Sequence, residues 1–89
     1  MCEYVNLAHN NIYKIHIGLI PYGTTILNLS FNNISVIENI PNTVNVLYIH
    51  NNNITKILDL PSNLKIIYID NYNKLNIPNH IVNGKILHL

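Results

Sequence analysis

The chain has 89 residues, a formal charge of +1, 48% hydrophobic and only 10% charged residues. So short a chain allows one domain, which buries roughly 60% of its unfolded surface. So sparse a charge excludes the clustered basic field that nucleic acid or an anionic membrane requires, and so high an apolar content excludes a disordered chain.

The composition is skewed towards Asn, with 18 residues, and Ile, with 17, against 3 Gly. Asn, Ile, Lys and Tyr share A/T-rich codons, which accounts for part of the excess but not for where the residues fall. Cys2 is the single cysteine. It has no internal disulfide partner and suits a reducing compartment. The first residues carry no basic segment followed by a long apolar run, so no signal peptide is expected. No stretch is long enough to span a membrane. A cytoplasmic location follows as the expectation.

In chain order, the first predicted strand lies near residues 5–7, where Val5 and Leu7 flank Asn6. Asn10, Ile12 and Ile15 follow, then Ile20 and Pro21. The second strand is expected near 27–29, followed by Asn32, Ile34, Ile37, Ile40 and Pro41. The third is expected near 47–49, followed by Asn52, Ile54, Ile57, Leu60 and Pro61. The fourth is expected near 67–69 and the fifth near 87–89. Successive strand segments are thus 22, 20, 20 and 20 residues apart, and Pro21, Pro41 and Pro61 keep a spacing of 20. Two places break the rhythm. The first unit has two extra residues around His16-Ile17-Gly18-Leu19, which should bulge outward. In the fourth, Tyr72 occupies the Asn position, with Asn73 as a substitute by a one-residue shift, and Pro78 arrives early, so an irregular loop is expected across 72–85.

A fixed period of this length is the mark of a solenoid. Each alternating segment makes a short strand with two side chains pointing inward. One turn of the coil cannot bury its own apolar side, so stacked turns share one core. The Asn stands where the chain leaves the strand. Its amide can bond backbone groups of its own and the neighbouring turn, so Asn10, Asn32 and Asn52 should form a ladder. The three-residue Ile spacing after it suits a 3₁₀ or extended segment, not a long helix. Proline then redirects the chain.

Written as one unit, the repeat is apolar-x-x-apolar-x-apolar-x-x-Asn-x-apolar-x-x-apolar-x-x-apolar-Pro. This pattern resembles the leucine-rich repeat, with Ile often in place of Leu, and the resemblance covers nearly the whole chain. The short period and the proline are similar to bacterial-type repeats. Phe31-Asn32-Asn33-Ile34, Asn39-Ile40-Pro41 and Asn76-Ile77-Pro78 resemble the repeat named for Phe-Asn-Ile-Pro, although its typical glycines are missing. Such repeats are frequent in some amoebae and in large DNA viruses that infect them, which agrees with the A/T-rich composition. The resemblance implies one leucine-rich-repeat domain over residues 1–89. It would have about four to five coils, a parallel β-sheet on the concave face, a 3₁₀ or extended convex side and little α-helix.

In that fold the strand residues between the buried ones form rows on the concave face, with strands about 4.8 Å apart. The first row is Tyr4, Ile26, Val46, Ile66 and Ile86. The second is Asn6, Asn28, Tyr48, Tyr68 and His88. Ala8, Ser30, His50 and Asp70 form the third, and His9, Phe31, Asn51 and Asn71 the fourth. The apolar first row, Tyr48 beside Tyr68 and Phe31 nearby form the candidate interaction surface, with His50 and Asp70 as an expected ion pair. Aromatic side chains of this kind anchor interfaces. Beta propensity alone also places Ile, Val and Tyr in strands.

Chemistry finds little support. The five histidines are scattered, with no close pair for a metal, and no cofactor is expected. Ser30, His50 and Asp70 share a row, but the repeat imposes that order and no oxyanion loop accompanies it. The resemblance implies a non-enzymatic module that binds a protein along its concave face. The alternative is a structural homo-oligomer, most simply a dimer. Its apolar row and uncapped ends, including Leu87 and Leu89, would pair with another copy.

Overall fold

The structure, a computed structural model, describes residues 3–70 and 85–88. Among these residues are seven strands: β1 (Glu3–Asn6), β2 (Thr24–Asn28), β3 (Val36–Ile37), β4 (Val46–Tyr48), β5 (Lys56–Ile57), β6 (Ile66–Ile69) and β7 (Lys85–His88). Five of them form one sheet in the order β1-β2-β4-β6-β7, with every neighbouring pair parallel. On the other side of the coil, β3 pairs with β5, also in parallel. The chain is thus a β-solenoid of about three turns, with no helix among the described residues.

The alternating segments form these strands because each supplies inward apolar side chains to the shared core. Leu27 and Leu29, Leu47 and Ile49, and Ile67 and Ile69 point inward from successive coils and are all buried. Ile15, Ile20, Ile34, Ile37, Ile40 and Val44 close the core from the convex side and the turns. Each fully buried side chain of this size contributes about 1.5–3 kcal/mol. Thr24 stands where later coils carry Val44 and Leu64. It is buried as well, because its hydroxyl donates to the Pro21 carbonyl at 2.7 Å.

The proline of each unit begins a turn. The amides of Thr24, Val44 and Leu64 donate to the carbonyls of Pro21, Pro41 and Pro61 at 3.1–3.2 Å. The two extra residues of the first coil are absorbed in a separate turn, with the Leu19 amide on the His16 carbonyl at 3.0 Å. Gly18 takes φ +84° there, the left-handed conformation that a type II turn demands at its third residue. Ile17 is pushed out and is 88% exposed.

The convex segments are extended and not 3₁₀. Their backbone donors are spent between coils: Asn33 amide to Ile12 carbonyl at 2.8 Å, Thr55 to Ser35 at 2.8 Å and Leu58 to Ile37 at 3.0 Å. No 3₁₀ turn occurs among the described residues.

Asn32 and Asn52 bridge neighbouring turns, whereas the Asn10 side chain bonds only the Ala8 carbonyl of its own turn, at 3.1 Å. The Asn32 Nδ2 lies 3.0–3.1 Å from the carbonyls of Leu7, Leu29 and Ser30. Its Oδ1 accepts the amides of Asn10 and Ile12, both at 2.9 Å. Asn52 repeats this one coil later, reaching the Leu29, Ile49 and His50 carbonyls and accepting the Ile34 amide. Each of these two carboxamides therefore ties its own turn to the preceding one.

Each strand of the main sheet begins one to three residues earlier than the spacing predicts. The last strand also differs in register. It pairs Lys85 with Ile66, Ile86 with Ile67, Tyr68 with Leu87 and Ile69 with His88. Ile86 therefore does not continue the row that ends at Ile66, and Leu87 is not opposite Ile67. The 20-residue beat slips by one between β6 and β7, in the stretch where Tyr72 and Pro78 depart from the repeat. The irregular loop, apart from Lys85, and Leu89 lie outside the described residues.

Candidate interaction face

Parallel register sets the rows of the exposed sheet face. Tyr4, Ile26, Val46 and Ile66 lie opposite one another through successive strand pairs. Tyr4 is 56% exposed, and the three aliphatic residues are half-buried. The next row aligns Asn6, Asn28, Tyr48 and Tyr68.

That second row divides into two chemistries. Asn6 and Asn28 turn back on their own chain: Asn6 Oδ1 accepts the Ala8 amide at 3.0 Å and Asn28 Oδ1 the Ser30 amide at 3.0 Å. These are Asx turns, which end the strands locally. Tyr48 and Tyr68 have no such option, and their rings stack at 4.4 Å with 3° between planes. Burial, and then the neighbouring Tyr68, raise the Tyr48 phenol above its ordinary value. The neutral hydroxyl is the favoured form because a phenolate would lose solvent and face a second ring oxygen.

The aromatic surface continues beyond the two tyrosines. Tyr48 meets the His50 ring edge-on at 6.3 Å, His50 meets Phe31 edge-on at 5.6 Å, and Phe31 stacks on His9 at 4.5 Å. Five rings from four successive strand segments thus run together along the strand ends. Phe31 remains 46% exposed.

The conformation at this edge was not legible from the repeat pattern. His9, Phe31 and Asn51 occupy the same place in successive coils, and all three are left-handed, with φ of 59°, 55° and 57°. Asn accepts that conformation readily. A bulky ring does so at a cost on the order of 1 kcal/mol. For Phe31 the two ring contacts and the half-burial offset it. Asn51 was the available signal, since Asn is, after glycine, the residue best suited to a left-handed turn.

The expected ion pair between His50 and Asp70 does not form. Both carboxylate oxygens of Asp70 take the Asn51 amide instead, at 3.0 and 3.2 Å. The His50 Nδ1 is buried without a hydrogen-bond partner. Ser30 is buried too, and its hydroxyl donates to Asn28 Oδ1 at 2.6 Å, away from His50. Ser30, His50 and Asp70 therefore share a row without forming a relay. Among the described residues no three His, Cys, Asp or Glu side chains converge as a metal cluster. No helix among them is long and apolar enough to cross a membrane. A shallow polar depression lies at the proline turns, lined by Asn45, Ser62, Asn63, Leu64 and Lys65, apart from the ring-bearing strand ends.

No protein-family model matches the chain, and no curated protein and no solved structure matches it.

Proposed function

We propose that this chain is a short leucine-rich-repeat module that acts without chemistry, by holding its exposed sheet face against another protein. The observation that carries this reading is the aromatic array. Tyr4, Phe31 and the Tyr48–Tyr68 stack are partly exposed, yet a parallel sheet and an Asn ladder hold them in place. Rigid aromatic side chains bind with little loss of conformational entropy, and they dominate interface energetics. The repeat consensus and the inter-coil Asn bonds support the leucine-rich-repeat assignment. The non-enzymatic part rests on Ser30 and Asp70, whose polar groups are already occupied by Asn28 and by the Asn51 amide. Cytoplasmic placement rests on the lone Cys2.

The test is selection of binders from a displayed random-peptide library against the native chain, counter-selected against Tyr48→Asp/Tyr68→Asp. The expected result is peptides that bind the native face and lose at least tenfold affinity on the double variant. Enrichment that ignores the substitutions would overturn the reading.

A second reading is self-assembly, favoured by the half-buried apolar row of Ile26, Val46 and Ile66 beside exposed Tyr4. Light scattering across a dilution series separates the two. A dimer near twice 10.2 kDa that dissociates with Ile66→Asp supports self-assembly. A monomer at all concentrations sinks it and leaves the row free for a foreign protein.

A further inference from the structure

We draw no further inference here: the strongest candidate, the run of rings from His9 and Phe31 to Tyr68 along the strand ends, belongs to the face already proposed for binding, and nothing in the structure shows what covers it.

Discussion

The first and second coils spell nearly the same sequence pattern, but they are held very differently. In the second coil Leu27, Leu29, Ile34 and Ile37 have no exposed surface at all. Of their counterparts in the first coil, Val5, Leu7 and Ile12 are only partly buried, and Ile15 alone matches its partner Ile37. The polar spine repeats the contrast. The Asn32 carboxamide contacts five backbone groups, whereas the Asn10 side chain has one bond, to the Ala8 carbonyl at 3.1 Å. The second coil has a described neighbour on both sides and the first on one. In a solenoid, stability is a property of the interfaces between coils more than of any coil alone.

The largest expected effect comes from the apolar residue after each ladder Asn. Ile34 is fully buried, while Ile12 and Ile54 in the flanking coils are not. Ile34→Ala should destabilise the fold by about 3 kcal/mol, within the range for a buried aliphatic truncation. Ile12→Ala and Ile54→Ala should lose about half as much, since they remove less buried area. Urea unfolding of the three variants checks this. Equal losses would mean that position in the stack does not govern stability.

Next comes the ladder itself. Asn32→Ala takes the Asn32 side chain from the Asn10 and Ile12 amides and the Leu7 carbonyl, while the Leu29 carbonyl keeps the Asn52 Nδ2. Groups stripped of a bond in a partly buried place destabilise by about 1–3 kcal/mol. Partial exposure lets water recover some of that, so a loss of about 2 kcal/mol is expected. Asn32→Asp sharpens the comparison. It keeps an acceptor for the two amides but turns the donor into a charged oxygen facing three carbonyls, so it should be at least as damaging as Ala at neutral pH. If Asp were tolerated better than Ala, the Oδ1 contacts would matter more than the Nδ2 contacts.

A smaller effect concerns pH and distinguishes the tyrosine half of the second row from its asparagine half. The folded chain holds the Tyr48 proton more tightly than the unfolded chain does, because burial and then Tyr68 raise its pKa from 10.0. Below that value both states are protonated and stability does not change. As pH rises past about 10 the unfolded state releases the proton first, and stability falls. Denaturant midpoints measured from pH 8 to pH 11 should therefore decline at the alkaline end. Tyr48→Phe should flatten the decline, and an unchanged decline in that variant would assign it elsewhere.

These contrasts also mark what the sequence could disclose. The repeat made the solenoid, the parallel strands, the inward residues and the places of Asn32 and Asn52 legible, because a side chain that recurs in one register has one structural job. It was silent where successive coils differ. His9, Phe31 and Asn51 are three different residue types, yet they share a left-handed backbone. That requirement belongs to the turn and not to any one side chain. The His50–Asp70 pair failed for a related reason. Adjacency in a row says nothing about competition from the backbone, and the Asn51 amide reaches the carboxylate. The one-residue slip of β7 was hidden because the period was carried across a stretch where Tyr72 stands at the Asn position and Pro78 comes early.

The smallest effect completes the contrast between the two coils. Asn10 matches Asn32 and Asn52 in the repeat, so sequence alone assigns all three the same weight. Its Nδ2 reaches only the Ala8 carbonyl of its own turn, and the residue is exposed. The Asn10 amide, by contrast, is held by the Asn32 side chain, and that bond survives any change of residue at 10 other than Pro. Asn10→Ala should therefore change stability by less than about 0.5 kcal/mol, as exposed substitutions usually do. The double variant Asn10→Ala/Asn32→Ala should lose little more than Asn32→Ala, with near-additivity because the two side chains share no bond. A loss for Asn10→Ala comparable to that for Asn32→Ala would show that the first coil is held on its outer side by contacts beyond those described, and would move it from the edge of the stack to its interior.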